Sequence, residues 1–574
     1  MFISGKWERL FLLAFILIAS YLRFINITKL NYFTYDQARD ALFVKRIIVD
    51  HEFRLLGTQT SLPGMYLPPY YYYTIAPVLW LFRLNPAGID MYSAFIGVLT
   101  IPLIYYVANK IFGRPAGVFS AGLMAVSPLV VELTRRAWNP NTLPFFILVS
   151  FYFLYLYFKE GKTRNFLLAF GFYGYCLSLH FGAWTLIPLF ILIWFHTLLK
   201  KKLGWLGLLG GFGLIFLFTS PLLFFELRHN FFLTSQAKIF FFDGKHIGAS
   251  GGNIFESIIS SLAALFFILI SGRITSGYAA PFEFTGKFKE LFALSQPISV
   301  VAQKPFSLSF QWWGMLTFLL IFFASLTIFF SKFNKLLRSK LTQYFGQSPK
   351  KFDSLSPSSA QQAGRFLASR NKRFDNKQIS GVKLIWLWLI WGVFASRLYS
   401  GNFYFFYYLY LFPAPFLLFG FLGKSLWSIK KLRLASLTAL IIMVGFHFQH
   451  TAAFANEWRE INDLRSVAKI ISDNVETGVL FNIATIQKDA YRWDRNSVDY
   501  RYFTESFGKK RALDWYPEDY QKAEFLFVVS EGGQTEVLKS KIMEIEEFSP
   551  VKIIGQWQTT KGIVVYKLSK KGKN

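Results

Sequence analysis

Residues 35–42 read YDQARDAL and follow directly after the first long hydrophobic stretch of the chain. Asp36 and Asp40 lie four positions apart, so a helix would place both carboxylates on one face, with Arg39 beside them. Charged groups at the edge of a membrane are costly unless they are solvated, paired or used in function. The stretch therefore predicts either a polar site at the membrane boundary or a solvated helix with an internal ion pair.

The composition around this stretch indicates a membrane protein. Of 574 residues, 53% are hydrophobic, 20% are aromatic and 68 are phenylalanine, which excludes an ordinary soluble domain. Apolar runs near the ~20 residues that cross a bilayer recur along the chain. A net charge of +29 would suit nucleic acid. However, the basic residues cluster in short loops between apolar runs, as the positive-inside rule describes, so we predict no nucleic-acid partner. The single cysteine, Cys176, excludes an internal disulfide and argues against a thiolate metal cluster.

The basic residues also predict the topology. Lys6 and Arg9 precede the first span, so the N-terminus is expected in the cytoplasm and 26–68 is expected to be an external loop, with a helix over 36–50. The short segment 69–83 is expected to be re-entrant or interfacial, because only then do the later basic loops face the cytoplasm. The first span is expected at 10–25, and the others at 91–108, 115–132, 143–158, 166–180, 183–199, 205–222, 312–330, 383–398, 403–421 and 434–449.

Two regions complete the predicted architecture. Residues 256–302 hold a hairpin of spans or an interfacial helix, and basic, polar residues 331–382 form a flexible cytoplasmic loop. From about 450, helical patterns (456–473 and 534–544) alternate with β-rich runs at 478–486, 523–530 and 562–568. We therefore predict a polytopic α-helical membrane protein with about 11–13 spans over 1–450. A small extracytoplasmic α/β domain is predicted over 451–574.

This topology collects the unusual polar residues on the external side of a cell membrane. Arginine binds phosphate or diphosphate through a two-pronged geometry, and aromatic faces suit sugar rings and isoprenoid tails. Candidate binding residues, in addition to Asp36, are Arg39, Asp40, Tyr66, Tyr70, Arg135, Arg136, Trp138, Asn139, Asn141, His180, Arg228, His229, Arg397 and Tyr399.

Each of these groups also has a simpler interpretation. The RRAW sequence at 135–138 is typical of an interfacial anchor, and the tyrosines at 70–73 are typical of an aromatic belt. His180 can be a satisfied histidine at a helix end, and Arg228 with His229 can cap a span. The convergence of all of them on one predicted face favours a site.

An ordered set of motifs resembles a known family. It consists of YDQARDAL, LPPYYYY, FGRPAG, SPLVVELTRRAWNPNTLPFF and YFFYYLYLFP, which fall at 35–42, 67–73, 112–117, 127–146 and 404–413. Together they resemble the GT-C glycosyltransferases, in the bacterial branch related to protein O-mannosyltransferases and lipid A aminoarabinose transferases. The likeness covers most of residues 10–420, and residues 450–574 resemble more loosely the small α/β tails of some of these proteins.

The resemblance implies a polyprenyl-phosphate-linked sugar as donor and transfer on the extracytoplasmic face, usually with inversion at the anomeric carbon. It places the family's first-loop carboxylate at Asp36, as the general base for an acceptor that is protein, lipid or glycan. The phosphate leaving group needs cationic stabilisation more than acid catalysis. Arg135, Arg136, Arg228 and Arg397 are the candidates.

The sequence departs from the aminoarabinose transferases at three places. Asn139 or Asn141 stands where those enzymes carry a second acid, so neither can be a base, although both could bind sugar hydroxyls. SLPGMYLPP at 61–69 lacks their glutamate, which weakens any metal site taken over from them. Their lysine at the outer end of a middle span is replaced by His180. No cofactor is required by the pattern, but a divalent metal on Asp36, Asp40 and His180 remains open.

Three functions remain to be weighed. The first is a membrane glycosyltransferase that uses a lipid-phosphate sugar. The second is a transporter or flippase of polyprenyl-linked sugars, which would be expected to show internal repeats and matched broken helices. The third is a structural subunit that recruits partners, which has no need of acids and arginines on one face. The sequence favours the glycosyltransferase, and it further suggests that 61–75 gates the site, because Gly64 and the nearby prolines can act as hinges.

Overall fold

The computed structural model describes residues 5–29, 33–60, 64–243, 253–274, 308–309, 315–326, 381–399, 403–454, 459–488 and 496–570, together with Lys287 and Lys289. Within these ranges the chain is a helical membrane part followed by a small sheet. The helices up to residue 449 are α1 (Gly5–Phe24), α2 (Tyr35–Val49), α3 (Tyr70–Leu81), α4 (Ala87–Phe112), α5 (Arg114–Val126), α6 (Pro128–Thr134), α7 (Leu143–Glu160), α8 (Thr163–Cys176), α9 (Ile187–Leu199), α10 (Trp205–Arg228), α11 (Phe232–Lys238), α12 (Ile254–Phe266), α13 (Met315–Leu326), α14 (Gly381–Ser396), α15 (Pro413–Ser428) and α16 (Arg433–Gln449).

The described helices include five that are long and apolar enough to cross a bilayer, and seven if each bent pair counts as one span. The five are Ala87–Phe112, Asn139–Glu160, Phe181–Leu199, Trp205–Arg228 and Lys430–Gln449. Shorter apolar helices lie at Ile254–Ile270, Met315–Leu326 and Gly381–Ser396. A polytopic α-helical membrane protein is thereby confirmed. The predicted loop 331–382 lies outside the described residues except for its last two.

Two predicted spans are broken rather than straight. The span expected at 115–132 consists of α5 and α6, which meet at 63°, and the span expected at 403–421 consists of a 3₁₀ helix, Phe405–Leu411, and α15, which meet at 59°. Pro128 and Pro413 stand at the first position of the second helix in each pair. Proline has no backbone N–H to continue the preceding helix, which explains where both helices restart.

A buried arginine supports the first of these breaks. Arg23, near the end of α1, is fully buried. Its Nη1 donates to Ala125 O at 2.9 Å, and its Nε donates to Thr134 Oγ1 at 3.0 Å. The carbonyls at the end of α5 lack helical partners, so a cation from a neighbouring helix satisfies one of them. The bend between α5 and α6 is therefore stabilised by a side chain from α1.

Small residues allow close helix packing elsewhere in the core. A Cβ atom added at Gly420 of α15 would lie 2.5 Å from Ala116 O of α5 and would also collide with Ser120 Oγ. Ser120 Oγ itself donates to Phe416 O at 2.9 Å. Such close backbone approach is typical of membrane helices, where packing replaces the hydrophobic effect as the driving force for association.

The ends of the helices are joined by different parts of the chain. At one end, Glu8 of α1 pairs with Arg114 of α5 at 3.3 Å. At the other end, Tyr502 of the C-terminal region donates to Leu84 O, just before α4, at 2.6 Å. The starts of α1 and α5 therefore share one end of the bundle, while the start of α4 and the C-terminal region share the other.

The C-terminal region contains a four-stranded sheet. Its strands are β3 (Phe481–Ile486), β4 (Phe525–Ser530), β5 (Val551–Gln558) and β6 (Val564–Lys570), in the order β3-β4-β6-β5. A separate two-stranded ladder joins β1 (Arg273–Ile274) to β2 (Leu308–Ser309). β3 and β4 are parallel and the other pairs are antiparallel. The helices are α17 (Ile461–Asp473), α18 (Val498–Ser506), α19 (Pro517–Lys522) and α20 (Met543–Phe548).

This arrangement confirms the predicted α/β tail and corrects its details. The three expected β-runs coincide with β3, β4 and most of β6, whereas β5, α18 and α19 were not predicted. The helix expected over 534–544 is wrong, because Val537–Lys539 is a short 3₁₀ turn and α20 begins only at Met543. In the uncertain segment 256–302, α12 continues as a π-helix to Ser271, and Arg273–Ile274 form β1.

Candidate functional site

Helix α2 carries the first group of predicted site residues. A capping box of Thr34 and Gln37 begins the helix, and this box fixes the orientation of its first turn. In that turn, Asp36 Oδ1 lies 3.0 Å from Arg39 Nη1, and the Asp36 side chain remains 39% exposed. The predicted helix and the predicted ion pair are both present, and Asp36 is the exposed member of the pair.

Asp40 has the opposite environment. Its Oδ1 accepts hydrogen bonds from Arg39 Nε at 3.1 Å, from Arg39 Nη2 at 2.9 Å and from Tyr72 Oη at 3.1 Å. Its side chain is 3% exposed. Burial, with the nearby Asp36 charge, raises the pKa of Asp40 to about 6, although Arg39 opposes the shift. We call Asp36, Arg39, Asp40 and Tyr72 the acidic cluster.

The two loop arginines of the RRAW sequence bind within the protein. Arg135 donates to Leu22 O and, at 2.6 Å, to Ile25 O, so it caps the end of α1. Arg136 pairs with Glu132, four residues earlier, and its side chain is 16% exposed. In this structure Arg135 therefore serves a helix end, while Arg136 lies nearer the surface.

The rest of the loop meets the segment around His180. Asn139 Nδ2 donates to Leu179 O at 2.5 Å. The Trp138 ring lies 4.7 Å from the ring of Phe406, which in turn lies 6.0 Å from the ring of His180. We call Trp138, Asn139, His180, Phe406 and Tyr407 the loop cluster. The structure thus brings predicted residues from two segments together with Phe406 and Tyr407 from a third.

The loop cluster and the adjacent Asn141 contain buried acceptor oxygens, and His180 of the cluster is bound by the backbone. Asn139 Oδ1 and Asn141 Oδ1 are buried and hold no hydrogen bond among the described residues. Asn141 Nδ2 donates to Arg136 O at 3.1 Å, which orients its amide. His180 Nδ1 accepts from the backbone N–H of Gly182 at 3.0 Å. Its Nδ1 is therefore occupied.

Arg397 joins the loop cluster through aromatic rings. Its guanidinium lies 4.3 Å from the centroid of Phe403, and Phe403 lies 5.2 Å from Tyr407. Arg397 Nε donates to Ser261 Oγ of α12 at 2.8 Å. The side chain is fully buried. It is thus a buried cation beside the loop cluster, held by an aromatic face.

Other predicted residues have hydrogen-bond or ring partners outside the two clusters. Arg228 and His229 are exposed at the end of α10, and their hydrogen bonds, ion pairs and ring contacts within the described ranges do not join them to either cluster. Tyr70 donates to Leu217 O of α10 at 2.7 Å. Tyr399 stacks on Phe240 at 6.2 Å, and half-buried Tyr66 pairs with Gln59 in a short bridge.

Two contributors were missed by the sequence analysis. Asp90, in the first turn of α4, is fully buried and accepts from Ala137 N at 2.7 Å, so it holds the RRAW loop. Tyr72 of α3 donates to Asp40 Oδ1 at 3.1 Å, so it holds the acidic cluster. A signal for Asp90 was available, because it is the sole charged residue between Arg83 and Lys110. Tyr72 was visible only as one of four consecutive tyrosines.

The possible metal ligands are not gathered into one set. In the described part of the chain, no group of three or more His, Cys, Asp or Glu side chains is arranged to hold a metal ion. Asp36 and Asp40 both pair with Arg39, whereas His180 contacts Phe406 and Tyr407. The arrangement of Asp36, Asp40 and His180 therefore does not fit a shared metal site.

Comparison with known proteins gives a family match and two structural likenesses. Residues 67–225 match the family described as dolichyl-phosphate-mannose-protein mannosyltransferase. A solved structure of ArnT from Cupriavidus metallidurans bound to undecaprenyl phosphate is 13% identical, covers 98% of each chain and has a TM-score of 0.43. A structure of the oligosaccharyltransferase AglB from Archaeoglobus fulgidus with an inhibitory peptide and a dolichol-phosphate is 12% identical. It covers 92% of this chain and 70% of that chain, with a TM-score of 0.47. A search of curated protein sequences found no match.

The matched stretch runs from the residues just before α3 to the end of α10. It contains LPPYYYY, FGRPAG and the whole sequence from Ser127 to Phe146, which are three of the five motifs on which the resemblance was based. The expected relation to the mannosyltransferase branch of the GT-C glycosyltransferases is thereby confirmed. The α2 residues of the acidic cluster, Asp36, Arg39 and Asp40, lie before the matched stretch, whereas Tyr72 lies within it.

Proposed function

Taking the relation to these mannosyltransferases as the premise, we propose that the protein is a membrane glycosyltransferase that uses a polyprenyl-phosphate-linked sugar. The acceptor is a hydroxyl or amine of a protein, lipid or glycan. Transfer takes place on the extracytoplasmic face with inversion at the anomeric carbon. The observation that carries the proposal is the contrast between two carboxylates of the acidic cluster. The Asp36 side chain is exposed, whereas the Asp40 side chain is buried and its Oδ1 accepts three hydrogen bonds.

Asp36 suits the role of general base. A base must reach the proton that it removes, and the Asp36 side chain is 39% exposed whereas that of Asp40 is 3% exposed. Arg39 touches both carboxylates, so it fixes the position of Asp36 and balances the charge of the pair. Asp40 in turn holds Arg39 in place, and Tyr72 holds Asp40. Asp36 is therefore the reacting group, and the other three residues position it.

The reaction balances as a single displacement. The acceptor O–H or N–H proton moves to an Asp36 carboxylate oxygen as the acceptor atom forms a bond to the anomeric carbon. The bond from that carbon to the phosphate oxygen breaks at the same time, and the polyprenyl phosphate leaves with the electron pair. Attack from the face opposite the leaving group inverts the anomeric carbon.

The loop cluster supplies groups of the kind that the donor needs. The buried oxygens of Asn139 and Asn141 can accept hydrogen bonds from sugar hydroxyls. A bound sugar would thereby satisfy acceptors whose burial without a partner is costly. Arg397 and Arg136 are the cations placed to offset charge on the departing phosphate, because Arg135 is committed to the end of α1. Arg228 is exposed at the end of α10 and is a weaker candidate.

The contacts between distant segments support the proposed topology. Glu8 pairs with Arg114 at 3.3 Å, which joins two segments expected in the cytoplasm. Tyr502 binds Leu84 O, and Lys45 pairs with Glu505 at 2.9 Å, which joins the first loop to the C-terminal region. The first loop and the C-terminal α/β region therefore share one side of the bundle, and we assign that side to the outside of the cell membrane.

Sugar transfer by purified protein in lipid tests this function. Radiolabelled polyprenyl-phosphate sugars are supplied to the wild type and to Asp36→Asn, which keeps the shape of the side chain but removes the base. We expect transfer by the wild type and a loss of about 10²-fold or more in the variant, with lipid binding unchanged. Asp473→Asn is the matched control, because Asp473 sits in an exposed ion pair with Lys469.

The other outcomes separate the alternatives. Equal transfer by wild type and Asp36→Asn would keep the enzyme but remove Asp36 as base, and Asp40→Asn would then be the next variant. Binding of the lipid without transfer from any donor would contradict the enzyme and favour a transporter or flippase. Movement of the labelled lipid across a vesicle membrane would then be measured.

A further inference from the structure

A buried ion-pair network joins α2 to helix α18 of the C-terminal region. Glu505 Oε1 lies 2.9 Å from Lys45 Nζ, and Glu505 Oε2 lies 3.2 Å from Arg46 Nη2. The three side chains are 5%, 8% and 6% exposed. Asp50 and Asp514 flank the network at 3.0 Å from Lys45 and 3.4 Å from Arg46. Two adjacent cations on α2 thus share one buried carboxylate that comes from about 460 residues later.

Apolar and backbone contacts reinforce the same junction. The Phe33 ring, just before α2, lies 5.3 Å from the ring of Tyr502 and 5.4 Å from that of Phe503. Arg459 donates to Phe33 O at 3.4 Å. The C-terminal region therefore holds α2 near both of its ends, rather than covering it loosely.

The network is close to the acidic cluster and on the same rigid element. Arg46 follows Asp40 by six residues, which is about 9 Å along a helix that rises 1.5 Å per residue. A helix of this length moves as a unit, so a change at Lys45 and Arg46 also moves Asp36. Displacement of a reacting group by 1 Å is enough to lower a rate by about 10²-fold.

We propose that Glu505 is a positioning residue, and that the C-terminal α/β region sets the placement of the base by clamping α2 through Lys45 and Arg46. The proposal rests on the proposed function for its catalytic part. It gives the C-terminal region a role distinct from acceptor recognition and from simple coverage of the bundle. Glu505 acts through α2 and does not touch the reacting atoms.

Two variants from opposite sides of the junction test the clamp. Glu505→Gln keeps the shape of the C-terminal side chain, and Arg46→Gln leaves every residue of the C-terminal region unchanged. We expect each to lower kcat by about 10²-fold with the KM for the donor unchanged, because the base is displaced while the donor contacts remain. The double variant is expected to lose little more than Glu505→Gln alone, since Glu505→Gln already removes the carboxylate that Arg46 contacts.

Backbone hydrogen exchange separates positioning from folding. In both variants we expect faster exchange over Tyr35–Val49 and unchanged protection of β4, Phe525–Ser530. Glu505→Asp, which retains a carboxylate, should recover part of the rate and of the α2 protection. Glu536→Gln is the control, because Glu536 pairs with Lys539 on the surface, with side chains 72% and 76% exposed.

Defined results would overturn the proposal. Unchanged kcat with faster exchange in α2 would show that the clamp does not serve catalysis. Equal loss of protection in α2 and β4 in both variants would show that the network only folds the C-terminal region. Unchanged hydrogen exchange in α2 would show that Glu505 does not clamp this helix. Absence of transfer by the wild type would instead refute the proposed function and the catalytic part of the inference, while the exchange data would still decide whether α2 is clamped.

Discussion

The first turns of α2 and the loop at 134–142 both carry arginine, but they use it differently. Arg39 pairs with two carboxylates, and one of these, Asp36, remains exposed. Arg135 instead donates to Leu22 O and Ile25 O, the backbone carbonyls that end α1. The comparison shows that an arginine in a functional motif can be committed to the scaffold. The position where chemistry can occur is indicated by Asp36, the exposed partner of Arg39, and not by the presence of arginine in a motif.

The largest expected effect comes from removing the shared cation of the acidic cluster. Arg39→Gln leaves buried Asp40 without its ion-pair partner, and breaking one side of a buried pair destabilises a protein by about 4 kcal/mol. We expect the free energy of unfolding, measured in lipid nanodiscs, to fall by that order. Adding Asp40→Asn should restore most of it. A loss no larger than that of Lys469→Gln, from an exposed pair, would contradict the central place given to Arg39.

The next largest effect is a dependence of stability on pH. Burial raises the pKa of Asp40 from its ordinary value of 3.8 to about 6, so between these pH values the native state binds more protons than the unfolded state. The contribution of Asp40 to stability is therefore fully present below pH 4 and is lost as the pH rises through 6, by roughly 3 kcal/mol. Unfolding measured from pH 4 to 7 should show this slope in the wild type and not in Asp40→Asn.

A smaller effect is expected in the loop, and it tests the other side of the comparison. Arg135→Gln removes two hydrogen bonds to the end of α1, so the free energy of unfolding should fall by about 2 kcal/mol while polyprenyl phosphate still binds. Thermal unfolding and a lipid-binding measurement on the same sample decide between the roles. Normal stability with loss of lipid binding would show instead that Arg135 binds the phosphate of the lipid.

The smallest expected effect sharpens the description of the acidic cluster. Tyr72→Phe keeps the ring but removes the hydrogen bond to Asp40, with an expected loss of about 1.5 kcal/mol. Because that bond stabilises the carboxylate, the pKa of Asp40 should rise further in the variant. The midpoint of the stability change with pH should therefore move upward. A midpoint that stays in place would show that Tyr72 does not bind the charged form.

Local sequence patterns were sufficient for elements that depend on neighbouring residues. The helix expected over 36–50 is observed at Tyr35–Val49, because its start is set by Thr34 and Gln37 and its charges lie four apart. Apolar length likewise predicted Leu143–Glu160 and Trp205–Arg228. The bends at Pro128 and Pro413 were missed because apolar content continues across them, although proline itself marked both places.

Contacts between distant segments were beyond the reach of sequence patterns. Nothing near Lys45 or Arg46 indicates that Glu505 is their partner, and nothing in RRAW shows that its first arginine meets the end of α1. The site was therefore predicted as a set of residue types on one face, and the structure divides that set into an acidic cluster, a loop cluster and outlying residues. Asp90 was detectable as an isolated acid, but its bond to Ala137 N was not.

The buried Arg23 has a consequence for how the protein is made. Its partners, Ala125 and Thr134, follow it by 102 and 111 residues, so α1 leaves the ribosome long before they exist. An arginine at the centre of a lone membrane helix costs about 2.5–3.5 kcal/mol, and less near an end, where it can reach the headgroups. Arg23 is the penultimate residue of α1, so before its partners are made its charge can be held at the headgroups. The bend between α5 and α6 then supplies acceptors that replace this hydration in the folded protein.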